Sequence, residues 1–273
     1  MNNGGDLVDW GQTTALLLER IRSQRPLVHV ITNMVAANHT ANALIQTGAR
    51  PVMAEAPEET AEVTLQADAL VLNLGIPTGS KLDAMTLSGI AANHKQIPII
   101  LDPVGVAVSQ YRAAALNTLL REMQVDIIKG NSAEIGWVAG IAMPGSGVDA
   151  VARHQDDYRL GQTCAKRLSA VTVVTGRDDL ITDGLRCLQV KHGHPWLAQI
   201  SGSGCMAGGV IGAFAAVTKD PLIAAVCAMI YFGLAGELAA QDCPGPGSYP
   251  GRIIDMLYHL DPTCHPIRID EMI

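Results

Sequence analysis

Residues 69–105 read ALVLNLGIPTGSKLDAMTLSGIAANHKQIPIILDPVG. Two apolar runs, 69–74 and 97–101, bracket a segment of helical pattern at 81–95. Each run ends in a turn, Gly75 after the first and Asp102-Pro103-Val104-Gly105 after the second. Runs that are continuously apolar rather than alternating are the mark of strands buried on both faces. A strand, a helix and a second strand in this succession form a βαβ unit.

Working outward, the same unit recurs on both sides. Upstream, an amphipathic helix at 11–24 gives way at Pro26 to a strand, Leu27-Val28-His29-Val30-Ile31, which ends at Thr32-Asn33. A helix of small residues (36–47) is stopped by Gly48, a short strand follows at 51–54, and Pro57-Glu58-Glu59-Thr60 puts proline and acids into a first helical turn. Downstream come a helix at 111–123, a strand at 125–128 and the turn Lys129-Gly130-Asn131-Ser132-Ala133-Glu134. After a loop at 145–149, a helix at 156–168 leads into a strand at 171–176. Asp183-Gly184 between two β-prone runs (180–182 and 186–190) then signals an antiparallel hairpin. The rest reads as helical apart from the Gly/Pro-rich turn at 244–248, and one helical segment runs from about 201 to about 219. The expectation is a single α/β domain over 1–273: three layers, a mostly parallel sheet with helices on both faces and a short antiparallel edge.

Composition agrees. The chain of 273 residues is 48% apolar, 16% charged and only 4% aromatic, so its core must be built from Ala, Val, Ile and Leu. A net charge of −7 without any basic run argues against a nucleic-acid partner. The six cysteines show no C-x-x-C and no zinc-like spacing, which points to a reducing, cytoplasmic setting, and residues 1–10 lack the pattern of an export signal. Residues 221–236 are nearly all apolar but short of a membrane span and contain Gly233 and Gly236; they read as a buried core or interface helix.

Ligands of open parallel sheets bind beyond the carboxyl ends of the strands. That rule gathers Asn33, Met53, Gly75, Asp102, Lys129, Asn131, Glu134, Thr175, Gly176 and the loop Gly202-Ser203-Gly204-Cys205 along one edge. Each has a structural alternative, since Asp102 can cap a turn, Asn131 can cap a helix and Lys129 can be a solvated charge. In Ser201-Gly202-Ser203-Gly204-Cys205-Met206 the glycines permit a tight turn that presents bare N–H groups to an anion at a helix start. The same helix end would lower the pKa of Cys205. Asn131-x-x-Glu134 is a capping box, and these oxygens beside Asp102 could also hold Mg²⁺ through water. The fit of Gly202, Gly204 and Ala207 to a dinucleotide fingerprint fails on context, because no second strand with a terminal acid follows, and no Walker motif is present.

Taken in order, the segments PLVHVITN (26–33), ANALIQTGARPVMAEAPEE (41–59), LDPVGV (101–106), IIKGNSAEI (127–135), VVTGRDDLITDG (173–184), SGSGCM (201–206) and GPGSY (245–249) closely resemble the hydroxyethylthiazole kinases of thiamine biosynthesis, members of the ribokinase-like superfamily. The resemblance implies transfer of the ATP γ-phosphate to the hydroxyl of 4-methyl-5-(2-hydroxyethyl)thiazole with Mg²⁺, in a homotrimer whose thiazole sites lie at subunit boundaries. It implies thiazole contacts at Met53, Gly202 and Asn33, and ATP contacts at Thr175 and Lys129. Lys129 stands where an arginine is usual, and Ser203 where threonine is usual. Cys205 takes the place of an aspartate that serves as base in much of the superfamily.

Three rival readings stay open at this point, one of them a non-catalytic protein of the same fold that binds the thiazole without turning over ATP. A related pyrimidine alcohol could be the acceptor. Alternatively, Cys205 could be the nucleophile of an acyl transferase or hydrolase, with the loop as oxyanion hole and His29, His39 or His192 as its base.

Overall fold

The computed structural model describes residues 8–141 and 154–272; the loop expected at 145–149 lies outside them. Nine strands form one sheet: β1 Leu27–Ile31, β2 Arg50–Val52, β3 Ala69–Asn73, β4 Ile99–Asp102, β5 Ile127–Asn131, β6 Val171–Thr175, β7 Asp179–Thr182, β8 Cys187–Val190 and β9 Ile269–Met272, in the order β2-β1-β3-β4-β5-β6-β7-β8-β9. The first six are parallel, and the last three extend the edge antiparallel.

The helices are α1 Trp10–Gln24, α2 Ala37–Thr47, α3 Pro57–Gln66, α4 Gly79–Lys95, α5 Gln110–Glu122, α6 Ser132–Ala139, α7 His154–Leu168, α8 Ser203–Ala215, α9 Pro221–Ala240 and α10 Tyr249–His259. Val71 and Ile100 join a core with Ile21 of α1, Leu44 of α2, Phe214 of α8, Tyr231 of α9 and Leu257 of α10. Their neighbours Leu70, Leu72, Ile99 and Leu101 point the other way, into a core with Met85 of α4, Leu116 of α5 and Ile135 of α6. Successive strand residues thus feed opposite layers, which is why the strands must be continuously apolar.

Sequence signals account for most element ends. Pro57 occupies the first turn of α3 ahead of Glu58 and Glu59, and Asn131 and Glu134 form the capping box that opens α6. In the hairpin, Asp183 Oδ1 accepts from the N–H groups of Leu185 and Arg186, at 2.9 and 2.7 Å. Two expectations need correction. The helix that begins beyond Gly202 ends at Ala215, not near Lys219, because Asp220 caps α9 through the Leu222 and Ile223 N–H groups and the chain must break before that start. The C-terminus also does not stay helical: β9 closes the sheet against β8. Helix α9 is long and apolar enough to cross a membrane, but 83% of its apolar window is buried inside the fold.

Strand register builds the functional edge. Asn73 pairs with Asp102 across β3 and β4, and Asn131 pairs with Thr175 across β5 and β6, so four polar strand-end residues face one rim.

Candidate active site

The loop before α8 begins at Gly202, whose φ of +89° is the left-handed conformation that glycine adopts freely. A Cβ there would stand 3.1 Å from that of Ala36, so α2 and the glycine loop are in close contact. No side chain caps α8. Its first N–H groups and its dipole are therefore available to an anion.

Cys205, on the first turn of α8, is half-buried and takes two hydrogen bonds on Sγ, from Asn73 Nδ2 at 3.3 Å and Asn33 Nδ2 at 3.5 Å. Asn33 Nδ2 also donates to Asn73 Oδ1 at 3.0 Å, and Asn73 Nδ2 to Asp102 Oδ2 at 2.9 Å. On the other side of Asp102, Lys129 Nζ donates to Oδ2 at 2.9 Å and to the Gly204 carbonyl at 3.1 Å. Asn33, Asn73, Asp102, Lys129 and Cys205 are thus one network, drawn from the turn after β1 and from β3, β4, β5 and α8. The sequence reading missed Asn73. Its signal was an amide ending an otherwise apolar strand.

Glu134 is committed differently. Oε1 accepts from Gly105 N–H at 2.8 Å and Oε2 from Asn131 N–H at 2.9 Å. It thus fixes the turn after β4 against the start of α6.

Burial dominates the electrostatics. It pushes the Asp102 carboxyl up, against the Lys129 ammonium and the hydrogen bonds from Lys129 and Asn73. Glu134 is raised by burial and by the nearby Asp102 charge. Lys129 is held as an ammonium: burial works against its charge, but Asp102, Cys205 and Glu134 outweigh it. The expectation for Cys205 is corrected in sign. Burial and the Asp102 charge raise its pKa, and the helix start, Lys129 and the two asparagines do not compensate.

Two cavities flank the network. One, of about 480 Å³, is bordered by Thr175, Gly176, Ser203 and Gly204 and runs past His192 and His194 to Met229 and Phe232. The other, of about 440 Å³, is lined by Thr32, Met34, Met53, Ile76 and Lys81 among others. Thr32 precedes Asn33 and Gly204 precedes Cys205, so the network separates the two. Both are large enough for a small-molecule ligand. A larger cavity of about 780 Å³ lies at the opposite, amino ends of the strands. Asp68 and Asp126, in its wall, are committed to the Leu27 and Ile99 N–H groups. In parallel sheets the carboxyl edge is the ligand edge.

Among the described residues no hydrogen bond joins a histidine, His39 included, to Cys205 Sγ. His29 is bound at both nitrogens, to Thr64 and the Ala54 carbonyl, and His192 is bound to Glu237 and to Arg268 N–H. The partners of Sγ are asparagines, which cannot take its proton.

Asp102 Oδ1 is buried without a hydrogen-bond partner among the described residues, and the Asp102 charge helps to raise the Glu134 carboxyl. Both features suit a cation. Among the described residues no three His, Cys, Asp or Glu side chains converge to hold one directly. Mg²⁺ fits such a place when phosphate oxygens and water supply most of its ligands.

Comparison with known proteins bears on this arrangement. The Hydroxyethylthiazole kinase family matches residues 18–263. A hydroxyethylthiazole kinase from Chloroflexus aggregans is 46% identical over 246 residues, which is 90% of this chain and 88% of that protein. The structure of the hydroxyethylthiazole kinase protein from Pyrococcus horikoshii OT3 superposes with a TM-score of 0.86 at 35% identity, covering 96% of this chain and 99% of that one. A ribokinase-like superfamily protein from Enterococcus faecalis, at 15% identity and a TM-score of 0.63, covers 90% of this chain and 94% of its own and shares the fold. With the glycine loop and the strand-end network both within the matched span, the chain belongs to the hydroxyethylthiazole kinase family.

Proposed function

We propose that this protein transfers the γ-phosphoryl group of ATP to the hydroxyl of 4-methyl-5-(2-hydroxyethyl)thiazole. The observation that carries this reading is the Asn33-Asn73-Asp102-Lys129-Cys205 network, set between two ligand-sized cavities at the uncapped start of α8. The cavity beside Thr175 and the glycine loop takes ATP, with its phosphates against the N–H groups of Ser203 and Gly204. The cavity beside Met53 takes the thiazole, with Asn33 and Gly202 at its inner end.

Phosphoryl transfer is mostly positioning and charge stabilisation. The acceptor oxygen, held at Cys205, forms its bond to the γ-phosphorus as the bond from phosphorus to the β,γ-bridging oxygen breaks and ADP leaves. The hydroxyl proton departs late, to Cys205 Sγ. The N–H groups at the start of α8 receive the charge that develops on the transferred phosphoryl. The Lys129 ammonium adds positive charge from beneath Gly204. Asp102 and, through water, Glu134 would hold Mg²⁺, which when bound neutralises the donor phosphates.

The thiazole cavity is lined by apolar side chains left uncovered, Met34 at 81% exposure and Ile76 at 45%, which supports a homotrimer in which a neighbouring subunit closes the mouth. Six free cysteines support a cytoplasmic setting.

An ADP-release assay across thiazole and pyrimidine alcohols tests the activity. ADP release with the thiazole alcohol is the expected result, and its absence in a folded, ATP-binding preparation overturns the assignment. Sedimentation is expected to give the mass of three chains.

A further inference from the structure

Helix α4 carries a cation where a helix does not want one. Lys81 lies in its first turn, where the dipole opposes positive charge. Its side chain is nonetheless 11% exposed, with the ammonium buried against two partners: Nζ donates to the Thr32 carbonyl at 2.9 Å and pairs with Glu55 Oε2 at 3.0 Å. What the residue contributes therefore lies in what its ammonium ties together.

Those partners belong to the two walls of the cavity beside Met53. Thr32 directly follows β1 and precedes Asn33, which reaches Cys205. Glu55 lies two residues beyond Met53, in a stretch that has left the sheet, because pairing of β1 with β2 stops at His29 and Val52. Three side chains hold that unpaired stretch: His29 Nε2 bonds the Ala54 carbonyl at 2.8 Å, Thr60 Oγ1 donates to the same carbonyl at 3.5 Å, and Lys81 bonds Glu55. The His29 contact ties it to the middle of β1, and the Lys81 contact adds a tie farther along the chain, directly to the Thr32 carbonyl beside Asn33.

We propose that Lys81 is a positioning residue for the phosphoryl acceptor: its ammonium clamps the Met53–Glu55 wall to the Thr32–Asn33 wall and sets the width of the acceptor cavity. The proposal rests on the assignment of that cavity to the acceptor alcohol. It separates Lys81 from the donor side, since none of its contacts reaches Thr175, Gly176 or the glycine loop.

The test is steady-state kinetics in both substrates on wild type, Lys81→Met, Lys81→Arg and Glu55→Gln, with calorimetric binding of the thiazole alcohol alone. Lys81→Met is expected to raise the KM and the Kd for the alcohol about tenfold while the KM for ATP stays within about twofold, and Lys81→Arg to recover most of the loss. Glu55 is 60% exposed, so Glu55→Gln should fold normally and raise the alcohol KM by a smaller factor, about threefold. Equal movement of both KM values, or none in either variant, overturns the clamp. Should Lys81→Met fail to fold, an unchanged alcohol KM in Glu55→Gln overturns it alone. A wild type that neither binds nor phosphorylates the thiazole alcohol overturns the acceptor assignment and the clamp with it, whereas active wild type with insensitive variants overturns only the clamp.

Discussion

The Lys129 ammonium lies 2.9 Å from Asp102 Oδ2, with side-chain exposures of 4% and 2%, so β4 and β5 are joined at the rim by a buried ion pair. The same ammonium donates to the Gly204 carbonyl, and a Cβ on Gly204 would stand 3.1 Å from it. Lys129 thus holds the glycine loop from below while it balances Asp102. A buried pair adds little over an apolar replacement, but removing one member leaves the other charge without compensation.

Lys129→Met should therefore cost roughly 3–5 kcal/mol of stability, a fall in Tm on the order of 10 °C for a domain of this size. Pairing it with Asp102→Asn should recover part of that loss, because the orphaned carboxylate is gone. Thermal melts of the two single variants and the double variant measure the coupling. Strict additivity would mean that the pair does not act as a unit.

Asp179, at the start of β7, accepts from Gly176 N–H at 3.0 Å and is buried, which raises its pKa to about 7. The folded value stands above the unfolded value of 3.8, so the stability it contributes is complete below about pH 4 and is lost as pH rises through about 7. Asp179→Asn keeps an acceptor for Gly176 and removes the charge. Its Tm relative to wild type should be higher by a few degrees at about pH 8 than at about pH 5. An equal difference at both values would mean that Asp179 ionises without cost.

Gly202→Ala should distort the glycine loop. The φ of +89° costs a side-chain-bearing residue about 1–2 kcal/mol, and the new Cβ meets Ala36 at 3.1 Å. Relief requires the start of α8 to move away from α2, and with it the N–H groups proposed to meet the phosphates. The expected outcome is a kcat loss larger than the loss of Tm alone would explain. A variant with unchanged kcat would mean that the loop does not touch the transferred group.

Much of this arrangement was legible in the sequence because strands buried on both faces leave an unmistakable apolar run, and because each such run must end at the ligand edge. Asp102, Lys129 and Asn33 follow from that rule. Asn73 was hidden inside the run it ends, and Lys81 inside a helix where a lysine reads as a solvated charge; their roles come from register and from the approach of segments 26 or more residues apart, which no local pattern records. The sign of the Cys205 shift failed for a related reason. The helix start is local and visible, but the burial and the Asp102 charge that overrule it come from packing β4 against α8. Strand β9 is four residues long and partly polar, and it exists because β8 offers an edge.

The raised Cys205 thiol sets the last expectation. If Sγ takes the acceptor proton, its thiolate is a minority form at neutral pH, and kcat should climb with pH past the value of an ordinary thiol, about 8.5, without levelling off. Cys205→Asp supplies a carboxylate of similar reach beside Asp102, whose charge raises it above the ordinary carboxylate range but leaves it far below the thiol. That variant should stay active and shift the rising limb to lower pH. Cys205→Ala should lose on the order of 10²-fold in kcat with small changes in either KM, the usual worth of one positioned base. A thiol that only fills space would give an alanine variant with unchanged kcat and a modest loss of Tm, and a covalent nucleophile would leave both variants dead and show a burst in the wild type. The pH profile of Cys205→Asp decides the matter: a limb that stays where the wild type has it would remove Cys205 from the proton transfer.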